Sequence, residues 1–289
     1  MKIALIGGGG YIGRHLSHQL TSIGAEVFNL SSSNGSGINP DSGLFASSPM
    51  IPAGVHAVVY LAQSPLYRDV PKNSAHVLSV NALSAVRVAE VARERGVEKF
   101  IYLSTGTVYA PSFDLLSEES PVRRDDWYAL SKLHAEECLS LFRKYMDVTI
   151  VRPFGVYGPS QVGRLVPNLI ESVLLGRPIV LQSRIGFGVD DRGLRISLCF
   201  IRDAIDILVK LIFHKSVPCL NLAGPESLSI FEIAEAIGGQ IGVPPKFIIS
   251  ETNRDSDLVA NISKLKKLHT EFTSFNKGLS SIFAEHKTI

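Results

Sequence analysis

Tyr128 and Lys132 stand four positions apart in the stretch WYALSK, with only small or apolar residues and a serine between them. At helical spacing both side chains lie on one face. A tyrosine with an ordinary pKa of about 10 is a weak base near neutrality, but a neighbouring ammonium favours its phenolate and makes acid–base chemistry accessible. The same spacing also fits a surface Tyr/Lys pair with no chemistry. A second segment separates the two readings. YLSTGTVYA is a strand-like run that presents Ser104 and Thr105 as hydroxyl donors. At the carboxyl edge of a parallel sheet, where such sheets bind ligands, those hydroxyls would meet a substrate.

The first residues add a binding element. Gly7, Gly10 and Gly13 form G-x-x-G-x-x-G between a strand and a helix. Backbone amides at that helix N-terminus can approach a pyrophosphate without obstruction by a Cβ, whereas a plain tight turn needs no such pattern. Tyr11 and Ile12 in this turn, and Leu61 and Ala62 at the end of VHAVVYLAQ, are further candidates for dinucleotide contact. Where NAD-binding sheets carry an acidic residue after the second strand, this chain has Ser31, followed by more serines and no arginine. Loss of the carboxylate removes a repulsion against a 2′-phosphate, so the choice between NAD and NADP stays open.

These residues need a scaffold, and the chain alternates strand and helix patterns from its first residue. KIALIGGGGYIGRHLSHQLTSIGAEVFNLS reads as strand, glycine turn, helix and a second strand over 26–30. VHAVVYLAQ lacks polar alternation, as expected of a strand covered on both faces. A helix follows over 74–95, with Ala82, Ala85, Ala89 and Ala92 along one stripe and Gly96 as its stop. VEKFIYLST, the WYALSK helix and DVTIVRPFGVYGP continue the rhythm, which predicts an α/β, Rossmann-like doubly wound parallel sheet. The expected dinucleotide-binding domain is 1–157 with 196–224 returning to it, and a smaller α/β substrate lobe comprises 158–195 and 225–289. Residues 30–43 read as a mobile loop and 181–193 as a glycine-rich one. The segment 62–73 reads either as a substrate gate, with Tyr67 and Arg68 reaching inward, or as a plain connection.

Composition excludes several classes. The 289 residues are 45% hydrophobic and 19% charged, with 29 basic and 27 acidic side chains for a formal charge of +2. No run of like charge invites nucleic acid or an anionic membrane, so a small-molecule partner is expected. Cys138, Cys199 and Cys219 are far apart without paired histidines, and His15, His18 and His134 lack a second ligand at useful spacing, so no metal is expected. The N-terminal apolar stretch is too short for a signal sequence, and the chain reads as cytoplasmic.

Taken in order, GGGGYIG, YLSTGTVYA, YALSK, VRPFGVYGP, RISLCFIRDAID, LNLAGPESLSIFEIAEAIG and NRDSDLVANISKLKKL resemble the motifs of the extended short-chain dehydrogenase/reductase family, the nucleotide-sugar epimerases and dehydratases. The resemblance runs nearly end to end. It implies Tyr128 as the acid/base, Lys132 as the residue that lowers its pKa and holds the nicotinamide ribose, and Thr105 as a hydrogen-bond partner of the reacting oxygen. It also implies Arg195 and Arg254 on the pyrophosphate of a sugar nucleotide, Asp257 near that nucleotide's ribose, a structural Asn81, and a homodimer through the helices at 74–95 and 126–145.

The departures are specific. Gly106 and Thr107 replace the Asp-Glu pair of the family's dehydratases, which disfavours dehydration. Gly155 replaces a substrate-contacting asparagine, and His56 stands where an aspartate near the adenine is common. The expected activity is NAD(P)-dependent epimerisation of a nucleotide sugar through a keto intermediate. The alternatives are an NADPH-dependent 4-keto-sugar reductase and, from another class, a dinucleotide-binding sensor or scaffold without turnover.

Overall fold

The computed structural model describes residues 1–32, 37–45, 51–186, 192–214 and 217–286. Parts of the two expected loops, 33–36 and 187–191, lie outside the described residues. The first half of the chain gives β1 (Lys2–Ile6), α1 (Tyr11–Ser22), β2 (Glu26–Leu30), β3 (Val55–Tyr60), α2 (Ser74–Leu78), α3 (Ser84–Glu94), β4 (Lys99–Leu103), α4 (Trp127–Ser140) and β5 (Asp147–Pro153). Then come β6 (Val156–Tyr157), α5 (Leu165–Leu174), β7 (Ile179–Leu181), β8 (Arg195–Ser197), β9 (Cys199–Phe200), α6 (Ile201–Phe213), β10 (Cys219–Leu222), β11 (Ser227–Ser229), α7 (Ile230–Ile241), β12 (Phe247–Ile249) and α8 (Phe275–His286).

The central sheet is six-stranded, in the order β10-β5-β4-β3-β1-β2, and β1 to β5 pair in parallel. The chain leaves β1 toward β2 on one side and resumes with β3 on the other. This reversal makes the doubly wound Rossmann-like arrangement and puts its switch point between β1 and β3, where a crevice opens at the strands' carboxyl ends. β3 and β4 are buried along almost their whole length, as their unbroken apolar runs require.

The run expected as one helix over 74–95 is interrupted. A π-helical turn, Ser79–Leu83, separates α2 from α3. The cause is visible in the sheet beneath: the Tyr102 hydroxyl donates to the Asn81 carbonyl at 2.7 Å, and the Tyr60 hydroxyl donates to that of Val80. A widened turn turns these carbonyls out of the helical ladder toward the phenols.

The chain divides into two compact units. The first comprises Met1–Tyr109, Pro121–Pro153 and Ile205–Leu220; the second comprises Ala110–Ser120, Phe154–Ala204 and Asn221–Ile289. The second unit contains three two-stranded ladders, β11 with β8, β12 with β7 and β6 with β9. Its helix α7 opens on a capping box between Ser229 and Glu232 and stops at Gly242 in the left-handed region, φ 80°. The segment Ala110–Ser120 joins this unit through the bond from Leu116 N–H to the Val259 carbonyl, a transfer that hydrophobic patterning does not signal.

Candidate functional site

The glycine turn closes the crevice end of β1. Gly7 has φ +83°, and a Cβ there would stand 2.8 Å from the backbone of Ala62, just past β3. A side chain at Gly13 would stand 2.6 Å from the Gly8 backbone, so the first turn of α1 lies directly on the loop. Gly7 N–H donates to the Leu30 carbonyl and Leu61 N–H to the Ile6 carbonyl, both at 2.8 Å, which fixes the ends of β1, β2 and β3 around the turn. Gly10 caps α1 without any side-chain hydrogen bond, which leaves backbone donors of the first turn to a ligand. This glycine cradle fits a dinucleotide pyrophosphate. Ser31 follows β2 directly and is buried, and Tyr11 and Ile12 begin α1 half-buried.

One sequence expectation fails along β3. His56 is the second residue of β3, and its Nδ1 lies 3.2 Å from a Glu98 carboxylate oxygen at the strand's amino end. Four residues of extended chain, about 13 Å at ~3.3 Å each, separate it from Tyr60 at the carboxyl edge, so it does not approach an adenine there. The segment after β2 carries no arginine, but Arg14, one turn into α1, lines the same hollow as Ser31.

Tyr128 and Lys132 share the start of α4, whose N-cap Asp126 accepts from Ala129 N–H at 2.8 Å. Lys132 is 2% exposed; its Nζ donates to the Leu103 carbonyl at 2.9 Å, at the end of β4, and lies 4.9 Å from the centre of the Tyr102 ring. Burial pulls its pKa from 10.5 down to about 7, against the opposing pull of Glu136. Two residues beyond β4, Thr105 is buried, its hydroxyl 3.0 Å from that of Thr107. Thus β4 and α4 bring Lys132 to the strand end that carries Thr105. Ser104 does not join them. Successive residues of extended chain face opposite ways, and its hydroxyl turns inward to the Glu136 carboxylate.

Gln63, Glu136 and Arg152, outside the expected set, join Tyr67 and Asn81 in shaping this site. Gln63 Oε1 accepts from the Tyr128 hydroxyl at 3.0 Å, and the Tyr67 ring lies 5.0 Å from that of Tyr128. Of the two inward-reaching residues expected in 62–73, Tyr67 contacts the Tyr128 ring and Arg68 lies over Tyr67, 5.3 Å from its ring centre. Asn81, fully buried, accepts from Ser64 N–H at 3.2 Å and donates to Ser131 Oγ at 2.9 Å. Beneath Ser104, Glu136 and Arg152 form a buried ion pair, and the Arg152 guanidinium lies 4.9 Å from the Tyr109 ring centre. Burial opposes the Arg152 charge, but its hydrogen bonds to the Glu136 carboxylate prevail and raise its pKa above the ordinary arginine value. No pattern of spacing announces Gln63, because its partner is 65 positions away.

The second unit gathers the expected substrate residues. Arg254 Nε donates to Asp257 Oδ1 at 3.1 Å, both side chains buried, and the same oxygen accepts from Arg195 N–H at 2.9 Å. The Arg195 guanidinium donates to the Ser227 carbonyl at 2.7 Å and lies 3.4 Å from Glu232. Phe113 underlies two guanidiniums, that of Arg184 at 3.9 Å and that of Arg254 at 5.7 Å, a cluster the motifs did not single out. At Gly155, a Cβ would stand 2.8 Å from Leu198, so Leu198 and Ile196 fill the space of a larger side chain.

Among the described residues, no group of three or more His, Cys, Asp or Glu side chains could hold a metal ion, and no helix is long and apolar enough to cross a membrane. Comparison with known proteins agrees with the fold and the motifs. A Bacillus subtilis (strain 168) protein called "Uncharacterized UDP-glucose epimerase YtcB" is 26% identical, with 98% of this chain and 97% of that protein aligned. A dTDP-4-dehydro-6-deoxy-D-allose reductase of Streptomyces is 27% identical over 84% of this chain and 82% of its own. MoeE5, solved with UDP-glucuronic acid and NAD, superposes with a TM-score of 0.84 at 22% identity over 100% of both chains. A UDP-glucuronic acid 4-epimerase of Bacillus cereus does so with the same TM-score at 20% identity, over 100% of this chain and 99% of its own. Residues 3–222 match the sequence model of the NAD dependent epimerase/dehydratase family, and the chain belongs to that family.

Proposed function

We propose that the protein epimerises a hexose carried on a nucleoside diphosphate, with Tyr128 as the acid/base. The observation that carries this reading is the meeting of β4 and α4, where Lys132 is anchored to Leu103 and Thr105 follows on the same strand end. The glycine cradle, with Gly7, Gly10, Tyr11, Ile12, Gly13, Ser31, Leu61 and Ala62, would hold NAD or NADP. A dinucleotide held there would supply the hydride acceptor for the sugar carbon and the hydride donor for its opposite face.

The remaining work falls to side chains. The Tyr128 hydroxyl, held by Gln63 in the resting protein, exchanges that partner for the sugar oxygen and passes the proton to and from it. Thr105 supports the same oxygen with its hydroxyl. Lys132, when protonated, favours the phenolate of Tyr128. Arg195 and Arg254 would offer planar donors to the diphosphate, which suits the guanidinium fork, and Asp257, which holds the Arg254 side chain and the Arg195 backbone, would stand near the nucleotide's ribose. Gly106 and Thr107 carry no carboxyl group with which to expel a hydroxyl, which argues against dehydration. Exposed Leu83, Leu141 and Tyr145, on the helical segments expected to pair two copies, support a homodimer.

Reduction of a keto sugar is the second reading, favoured by Ser31 in place of a second-strand acid and by the likeness to the allose reductase. Incubation with UDP- and dTDP-hexoses, followed by NMR of the sugar protons, tests the first reading; keto-sugar-dependent oxidation of NADPH tests the second. Tyr128→Phe should abolish turnover, a loss of about 10²–10⁴-fold, while dinucleotide binding persists. A variant that turns over as fast as the parent removes Tyr128 from the mechanism.

A further inference from the structure

Beside the glycine turn lies a hollow of about 340 Å³, bounded by Gly8 and Gly9 of the turn, Arg14 and His18 of α1, and Asn29 and Ser31 at the end of β2. Arg14 and His18 are one helical turn apart, both exposed, and share a face. Among the described residues no carboxylate and no hydrogen-bond acceptor holds the Arg14 guanidinium, and no acidic residue lines the hollow or stands in the first turn of α1. Arg14 therefore adds an unpaired positive charge to the N-terminal end of a helix whose dipole already favours anions, the electrostatic setting of an anion site.

Gly8 explains how the hollow is kept open toward the turn. A Cβ at that position would overlap the Asn29 side chain, whose Nδ2 is in turn bound to Ser17 Oγ at 2.9 Å. The Asn29–Ser17 bond ties the end of β2 to α1, with Ser31 just beyond. In sheets of this kind the residue after β2 meets the adenosine ribose: an acid there binds the 2′-hydroxyl and repels a 2′-phosphate, and a nearby arginine does the reverse. Here the acid is absent and the arginine arrives from α1, where inspection of the β2 segment alone does not find it.

We infer that Arg14, with His18 and Ser31, forms a 2′-phosphate site and that the protein selects NADP(H) over NAD(H). This rests on the dinucleotide reading of the glycine cradle, and the test separates the two. Protein stripped of nucleotide is titrated calorimetrically with NADP and with NAD, and the nucleotide retained by the untreated protein is identified by mass spectrometry after denaturation. The expected result is at least tenfold tighter binding of NADP. Arg14→Ala should weaken NADP tenfold or more and change NAD less than about twofold. Ser31→Asp should weaken NADP by a similar factor and leave NAD equal or tighter.

Equal or tighter binding of NAD by the parent, retention of NAD alone, or an Arg14→Ala loss shared equally by both nucleotides overturns the inference and leaves the cradle intact. Binding of neither nucleotide overturns the cradle as well. Arg14 is exposed and unpartnered, so its alanine variant is expected to fold; an unchanged melting temperature confirms that the binding change is local.

Discussion

The Tyr128 hydroxyl donates to Gln63 Oε1 at 3.0 Å, across 65 positions of sequence. Gln63 is therefore part of what orients the proposed acid/base. Its neighbour Ser64 is tied through N–H to Asn81; Asn81 donates to Ser131, and Ser131 Oγ donates to the Tyr128 carbonyl at 2.7 Å. Loop, π-turn and α4 form a closed circuit around one residue.

The Tyr67 ring packs against the Tyr128 ring, 5.0 Å between centres at a tilt of 47°. Tyr67→Ala should lower kcat about tenfold by releasing that ring, because small misplacements of a reacting group are expensive in rate. Tyr67→Phe keeps the stacking surface and should restore kcat, with KM altered less than kcat in both variants. Steady-state kinetics of the pair decides it; an alanine variant with parental kcat would mean that Gln63 and α4 suffice.

Glu136 and Arg152 are each less than a tenth exposed, and Glu136 also receives the Ser104 hydroxyl. Arg152→Met alone leaves a buried carboxylate unpaired, at a cost of about 3–5 kcal/mol. Adding Glu136→Leu should recover most of that loss, since an apolar pair of similar volume is often neutral. Urea unfolding of the two single variants and the double variant gives the coupling energy; additive losses would contradict a desolvated pair.

Lys132 carries a pH signature. Its pKa falls from 10.5 to about 7 on burial, so the folded protein binds fewer protons than the unfolded chain between those values. Stability contributed by this group is therefore lowest below pH 7 and rises as the pH climbs toward 10. Lys132→Met lacks the rise: in nucleotide-free protein it should melt above the parent at pH 6.5, the gap narrowing by pH 9.5, with turnover lost at both. A parent-minus-variant difference independent of pH would place the ammonium in contact with water.

Much of this was legible in the sequence for a physical reason. Strands buried on both faces show unbroken apolar runs, and glycines at Gly7 and Gly13 are demanded by backbone contacts that any side chain would block. What could not be read was set by partners remote along the chain. The π-turn at Ser79–Leu83 depends on phenols from β3 and β4, and the inward turn of Ser104 depends on a carboxylate of α4. Arg14 reaches the hollow beside Ser31 from α1, 17 positions earlier, and so gives no signal in the β2 segment itself. His56 matches a motif position in sequence, but it stands at the amino end of β3, away from the ligand edge.

The sheet order also dictates a schedule on the ribosome. β10, the neighbour that covers the β5 edge, is formed by Cys219–Leu222, whereas β5 is complete at Pro153. At synthesis rates of about 5–20 residues per second, the nascent chain carries an unpaired edge of central, apolar sheet for several seconds before its partner emerges. Truncations that stop between residues 153 and 219 retain every residue of the proposed catalytic set, Thr105, Tyr128 and Lys132, yet leave that edge permanently bare. They are expected to aggregate during expression and to yield no soluble minimal enzyme.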